Sequence, residues 1–310
     1  MRPHKLTIQE MNKMKHFDCP LSWITAYDFA LSHASEVSGI DMILVGDSGG
    51  MVQLGYETTN PVSMDEMILF CKAVRRGAPK TFVIGDMPQG SYEISKEIAI
   101  SNAIRFVKEG GMDCVKLEGG RRVKDKIKAI VDAGVSVIGH LGLTPQSTVT
   151  FSGYRVQGKT IDSFENLCED AMCIQDAGCI CLLLESIPSK VAGQITQLLD
   201  IPVYGIGAGY EVDGQLIIMN DLLGLYHMFR PSFAKCYVPE VVEQFVEKLP
   251  ENVREEGKNK FNDGFYEMAC MSILKYIEEV KNNKFPNDEY SYPITEEELK
   301  LLKQSPKWKY

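Results

Sequence analysis

The chain has 310 residues, of which 45% are hydrophobic and 24% charged, with a formal net charge of −9. That balance is ordinary for a folded globular protein. It argues against a general binder of nucleic acid or of an anionic membrane surface, either of which needs clustered positive charge.

In chain order, eight short apolar runs read as strands: WITAYD (23–28), DMILVGDS (41–48), TFVIGDMP (81–88), CVKLEG (114–119), SVIGHLG (136–142), CICLLLES (179–186), PVYGIGAG (202–209) and QLIIMND (215–221). Between them lie DEMILFCKAVRRG, SKEIAISNAIRFVKEGG, VKDKIKAIVDAG, FENLCEDAMCIQDAG and SKVAGQITQLLD, with apolar positions at helical spacing and several ending at Gly. This alternation predicts an α/β chain, a (β/α)8 TIM barrel over residues 1–237. An open doubly wound sheet is the competing architecture, but it does not gather residues from strands two to six at one point, as a barrel's C-terminal rim does. Residues 238–310 are expected to form a C-terminal extension packed on the barrel or on a neighbouring subunit. It would comprise helices over 238–249 and 264–282, separated by ENVREEGKNKFND, and a loosely ordered polar tail from Lys281.

Four of the apolar runs close on an acidic residue: Asp47, Asp86, Glu118 and Glu185. A carboxylate in such a run is costly unless it is paired or bound. Four in succession point to one rim where a hard cation such as Mg²⁺ sits. Strand alternation puts Lys116 and Glu118 on one face of CVKLEG. Pointed into a barrel, they form either an internal ion pair or a seat for an anionic substrate beside a cation. In CICLLLES the inward set is Cys179, Cys181, Leu183 and Glu185, which leaves Glu185 at the mouth above apolar neighbours. Desolvation there raises a carboxyl pKa, as suits a general base. His140 falls at a strand end beside these acids and is either a satisfied structural residue or a substrate hydrogen-bond partner. The run GIGAG (205–209) lacks the full GxGxxG and opens no helix, so it reads as close backbone approach and not as a dinucleotide site.

The nine cysteines contain no CxxC pair. The amino-terminal MRPHKLT carries neither a signal-like apolar run nor a transit-peptide pattern. A reducing, cytoplasmic setting with buried thiols is expected, and no membrane segment, since no apolar run reaches the ~18 residues that span a bilayer.

VGDS with Gly50-Met51, AVRRGAP, VKLEGG, GHLGLTPQS, GYRVQG, LLLE, IPVYGIGAG and DGQ, in this order, resemble the ketopantoate hydroxymethyltransferase family. That family belongs to the barrel superfamily that includes phosphoenolpyruvate mutase and isocitrate lyase. The resemblance implies Mg²⁺-dependent transfer of a hydroxymethyl group from methylenetetrahydrofolate to 3-methyl-2-oxobutanoate, giving 2-dehydropantoate in pantothenate biosynthesis. It also implies self-association into a homo-oligomer, such as a decamer. By resemblance, Asp47 and Asp86 bind the metal and Glu118 holds it through water. Ser48 and Lys116 match contacts to the substrate carboxylate, His140 a substrate-side residue, and Glu185 the general base. The alternative is a related enolate-forming carbon–carbon bond enzyme acting on a different 2-oxoacid, although the KKCG-like and EDK-like motifs of the lyases and mutases are lacking. A catalytically dead scaffold is opposed by the intact set of acids and Lys116. The chain departs from the family's usual pattern at Asn60, Gln89 and Asn220, and carries an insertion over roughly 239–263. Either Asn60 and Gln89 line a pocket more polar than the usual one, or both amides face away and leave specificity unchanged.

Overall fold

The computed structural model describes residues 4–16, 19–147, 153, 155–242 and 264–309. Eight parallel strands close into a barrel in chain order: β1 (Leu21–Thr25), β2 (Met42–Val45), β3 (Phe82–Asp86), β4 (Cys114–Glu118), β5 (Val137–Gly142), β6 (Cys181–Glu185), β7 (Val203–Ile206) and β8 (Gly214–Ile217). Each lies within or beside one of the apolar runs. The period-two alternation of a strand sends Ile43, Val83, Val115, Val137, Leu182 and Val203 outward into the helix layer. It sends Trp23, Met42, Phe82, Cys114, Ile138, Cys181 and Tyr204 inward to fill the lower barrel. Trp23 and Tyr204 pack with ring centroids 4.7 Å apart. Above this apolar floor the inward positions turn polar.

The register of neighbouring strands then decides which polar residues meet. Asp86 on β3 pairs with Lys116 on β4, Glu118 on β4 with His140 on β5, and His140 in turn with Leu183 on β6. Cys179 does not join the inward set. It precedes β6 in the turn closing the helix Ile161–Asp176, its N–H donating to the Ile174 carbonyl, and it is buried in the helix layer. The inward alternation starts only where the strand does, at Cys181.

The described residues also form helices beyond those expected. Ile8–His16 closes the bottom of the barrel, its Met11 fully buried against the inward apolar set. Phe29–Val37 is capped by Asp28, which accepts from the Leu31 N–H at 2.9 Å. Its buried face is Ser32, Ala34 and Ser35, too small and polar to register as an apolar stripe. Only the short helix Met219–Leu222 follows β8, and the helix Gly264–Lys281 packs against Phe29–Val37 and β1. Its Tyr276 hydroxyl reaches the Trp23 and Gln215 carbonyls at 2.8 and 2.6 Å, stitching it over the β1–β8 seam. Residues 238–242 are helical; the rest of the helix expected over 238–249, and most of the 239–263 insertion, lie outside the described residues.

The polar tail is more ordered than its composition predicts. Thr295 and Glu298 form a capping box for the helix Glu296–Leu302. Leu302 and Trp308 are buried, Trp308 against Phe164 at 5.5 Å. Phe285 is buried as well, against Tyr237 and Tyr276, so a few apolar contacts and a cap suffice where most of the segment is solvated. No helix among the described residues is long and apolar enough to cross a membrane.

Candidate active site

The C-terminal rim of the barrel opens on a cavity of about 530 Å³ lined by Asp47, Ser48, Asp86, Lys116, Glu118, His140 and Glu185 together. All seven residues singled out in the sequence therefore meet in one place. Asp86, Glu118 and Glu185 are the last residues of their strands, while Asp47 and Ser48 follow β2 in a turn. Gly142, at φ +93, ends β5 where a Cβ would lie 2.2 Å from the Glu185 carbonyl oxygen. That close approach lets the Leu143 N–H donate to the same carbonyl at 2.9 Å and fixes the backbone of Glu185. Ser186, next in line, adopts φ 53, a left-handed conformation uncommon for a non-glycine residue.

Lys116 Nζ lies 2.7 Å from Asp86 Oδ1, close as an ion pair but not aligned as a hydrogen bond. It lies 3.2 Å from His140 Nδ1. His140 Nδ1 is also 3.4 Å from Glu118 Oε1, and its Nε2 is 3.2 Å from Glu185 Oε2. An ammonium can only donate, so Nδ1 is the acceptor and the ring proton sits on Nε2, near Glu185 Oε2 but not aligned on it as a hydrogen bond. Burial, reinforced by Lys116, holds the His140 pKa below its ordinary value, which keeps this ring neutral near pH 7.

Asp47, Asp86, Glu118 and Glu185 share the cavity with Lys116, the single cation among its described lining residues; Glu57 and Asp221 line it as well. Burial pushes Glu118 up to about 8 and Asp86 well above the ordinary range, Lys116 pulling each back in part. Burial likewise raises Glu185. It disfavours the Lys116 ammonium too, but Asp86, Glu118 and Asp47 together hold that pKa above the ordinary lysine value. The cluster is thus one positive charge facing acids that retain protons for want of a second.

A hard divalent cation fits that deficit. Asp86 Oδ1 and Glu118 Oε1 are buried without a hydrogen-bond donor, and the donor set is all carboxylate. Among the described residues no three His, Cys, Asp or Glu side chains are arranged to hold an ion by themselves. A cation here would take further oxygens from substrate and water, as Mg²⁺ commonly does.

The structure adds residues that the sequence did not single out. Gln146, 3% exposed, bridges the acids: its backbone N–H donates to Glu118 Oε2 at 3.1 Å and its Nε2 to Asp47 Oδ2 at 2.8 Å. Nε2 also donates to the Met87 carbonyl at 3.0 Å, and Oε1 accepts from the Tyr92 hydroxyl at 2.7 Å. Tyr27 hydrogen bonds Ser48 Oγ at 2.8 Å. Gln146 stood in the quoted motif GHLGLTPQS, and its position there was the available signal; nothing in the spacing tied it to Asp47. Asn60 and Gln89 do not line the cavity. The Asn60 amide donates to Gln89 Oε1 and, at 3.2 Å, to the Gln146 carbonyl, so the two amides pair with each other, while Asn60 Oδ1 is buried without a partner. The walls near the acids are aliphatic instead, with Leu44, Leu143, Leu183, Ile206 and Leu216.

A closed parallel barrel with an ammonium, a neutral histidine and a cluster of carboxylates at its C-terminal rim defines a (β/α)8-barrel enzyme. The chain matches the family described as ketopantoate hydroxymethyltransferase across residues 5–288. It is 47% identical over 302 residues to the 3-methyl-2-oxobutanoate hydroxymethyltransferase of Alkaliphilus metalliredigens (strain QYMF), covering 97% of this chain and 98% of that protein. A protein of the same name from Heliobacterium modesticaldum (strain ATCC 51547 / Ice1) is 49% identical over 233 residues, 75% of this chain and 84% of that one. Among solved structures, 2,3-dimethylmalate lyase, a PEP mutase/isocitrate lyase superfamily member, shares the fold with a TM-score of 0.51 at 14% identity, over 85% of this chain and 94% of that one. The chain belongs to the ketopantoate hydroxymethyltransferase family.

Proposed function

We propose that this enzyme transfers the one-carbon unit of methylenetetrahydrofolate, as a hydroxymethyl group, to C3 of 3-methyl-2-oxobutanoate. The observation that carries the reading is the convergence of Lys116, Asp86, Asp47 and Glu185 in one aliphatic-walled cavity, in a chain so similar to proteins bearing that name. Asp47 and Asp86 would hold Mg²⁺ directly and Glu118 through water. When bound, the ion supplies Lewis-acid polarisation of the acid's carboxylate and keto oxygens.

The remaining chemistry falls to the chain's own groups. Lys116 provides a fixed positive charge for the substrate carboxylate, and Ser48 Oγ, oriented by Tyr27, a neutral hydrogen bond. Leu44, Leu183 and Ile206 receive the branched methyl groups, a gain of ~0.8 kcal/mol for each CH₂ buried. Glu185, its carboxyl raised by burial, takes the C3 proton. The His140 Nε2–H, 3.2 Å away, steadies the carboxylate electrostatically while it is ionised. C3 then bonds to the methylene carbon of the donor, and water supplies the hydroxyl as tetrahydrofolate departs.

Exposed Leu69, Ile94 and Ile98 support self-association, which light scattering in solution tests; a monomer at working concentration would retire it. The nine unpaired cysteines suit a cytoplasmic setting. The deciding experiment for the reaction is a panel of 2-oxoacids with methylenetetrahydrofolate and Mg²⁺, read by product mass. A CH₂O gain on 3-methyl-2-oxobutanoate, abolished by chelator and restored by Mg²⁺, is expected. A higher kcat/KM on another acid would establish the alternative substrate, and full turnover of metal-free protein in chelator would remove the metal.

A further inference from the structure

Asp221 plays no part in the chemistry above, yet it is 3% exposed and lines the same cavity. It sits in the short helix Met219–Leu222 that follows β8. The strands run in sequence order around the closed barrel, so β8 stands opposite β4. Asp221 therefore rises across the mouth from Lys116 and Glu118. Among the described residues its carboxylate accepts no hydrogen bond and has no cation within ion-pair distance. Burial pushes it up to about 7, with Arg230 pulling it back. Its oxygens open to the cavity, where a ligand's donors can complete them.

The same cavity also carries aromatic rings. Tyr226, Phe229, Phe233 and Tyr292 line it. Phe233 and Tyr292 meet edge to face at 5.9 Å, and Phe229 is 58% exposed at the rim. The proposed seat of the small branched acid, at Lys116, Ser48 and Glu185, uses none of these aromatic residues. The partner that acid must meet carries a flat heterocycle whose edge presents a ring N–H and an exocyclic amino group side by side, a fork that matches the two oxygens of a carboxylate.

We propose that Asp221 is the recognition residue for the one-carbon donor, accepting paired hydrogen bonds from the ring N–H and amino group of its reduced pterin, which packs on the aromatic rings. This rests on the hydroxymethyltransferase reading and assigns the donor's half of the cavity. A site built to accept from two N–H groups discriminates strongly against a ligand lacking one of them, because the buried acceptor is then left unpaired.

The test uses the full-length protein with Mg²⁺ and follows tetrahydrofolate and 3-methyl-2-oxobutanoate binding separately by titration calorimetry. Asp221→Asn should raise the Kd for tetrahydrofolate about 10- to 100-fold and shift the Kd of the acid far less. A tetrahydrofolate analogue without the amino group should bind wild type with a comparable loss, and Asp221→Asn should erase the difference between the two folates. Because the analogue is measured on wild type, a misfolded variant does not remove the test. Equal affinity of wild type for both folates, or unchanged tetrahydrofolate affinity in Asp221→Asn, overturns the proposal. So does parallel loss of affinity for folate and acid in Asp221→Asn with the two folates still distinguished. Wild type that makes no CH₂O adduct would refute the reaction itself, a result separable from normal turnover with Asp221 indifferent.

Discussion

Gln146→Leu removes a buried side chain that ties the loop after β5 to those after β2 and β3, while leaving the backbone N–H that serves Glu118. Three hydrogen bonds go with the carboxamide: to Asp47 Oδ2 at 2.8 Å, to the Met87 carbonyl at 3.0 Å and from the Tyr92 hydroxyl at 2.7 Å. A bond to a charged group contributes about 1.5–3 kcal/mol and a neutral one about 0.5–1.5. Tyr92 recovers part of its share from the Glu118 carbonyl at 3.2 Å. The Asp47 and Met87 terms then leave an expected loss of about 2–4 kcal/mol, somewhat offset by the apolar gain of leucine. Urea unfolding of the metal-free protein measures it, and Mg²⁺ titration should show weaker binding because Asp47 is no longer held. Gln146→Glu replaces a donor with an acceptor against Asp47, so its stability should fall further as pH rises, unlike Gln146→Leu. A loss under about 1 kcal/mol in Gln146→Leu, with Mg²⁺ affinity intact, would refute the bridging role.

Glu185→Gln should slow deuterium exchange at C3 of the 2-oxoacid, measured without folate, by ~10²–10⁴-fold while leaving Mg²⁺ affinity nearly unchanged; undiminished exchange would move the base to His140. In chelator and without substrate, stability should decline as pH rises from about 6.5 to about 8, since Glu118 and Asp221 hold their protons more tightly folded than unfolded, whereas His140, with its lowered pKa, opposes the trend only below 6.5. Thermal unfolding at stepped pH checks this, and a flat or rising curve in that window contradicts it. Gln89→Phe should leave the kcat/KM ratio between 3-methyl-2-oxobutanoate and a polar-substituted 2-oxoacid unaltered, because Gln89 pairs with Asn60 outside the cavity; a changed ratio would return both amides to the pocket.

The barrel was legible because each strand is a bounded apolar run and each is followed by turn chemistry, both local properties of the chain. The site residues were legible for a related reason: a carboxylate or lysine ending an apolar run violates the pattern around it, and Asp47, Asp86, Lys116, Glu118, His140 and Glu185 each did so. Alternation from Cys179 failed because the strand begins two residues later, a boundary set by the helix Ile161–Asp176 and not by side-chain period. The segment beyond Lys281 looked unstructured because its cap and its buried residues, Phe285, Leu302 and Trp308 among them, are sparse along the chain and gain their effect only against distant partners, as Trp308 does on Phe164 and Phe285 on Tyr237 and Tyr276. What the sequence by itself determined was therefore the strand count, the parallel architecture and the acids that break its pattern. Tertiary structure alone decided which of them touch: the Asp86–Lys116 and Glu118–His140 register pairs, the bridge from Gln146 to Asp47 and the position of Asp221 across the mouth. Those contacts join residues distant in sequence through barrel closure, and closure is a property of all eight strands at once.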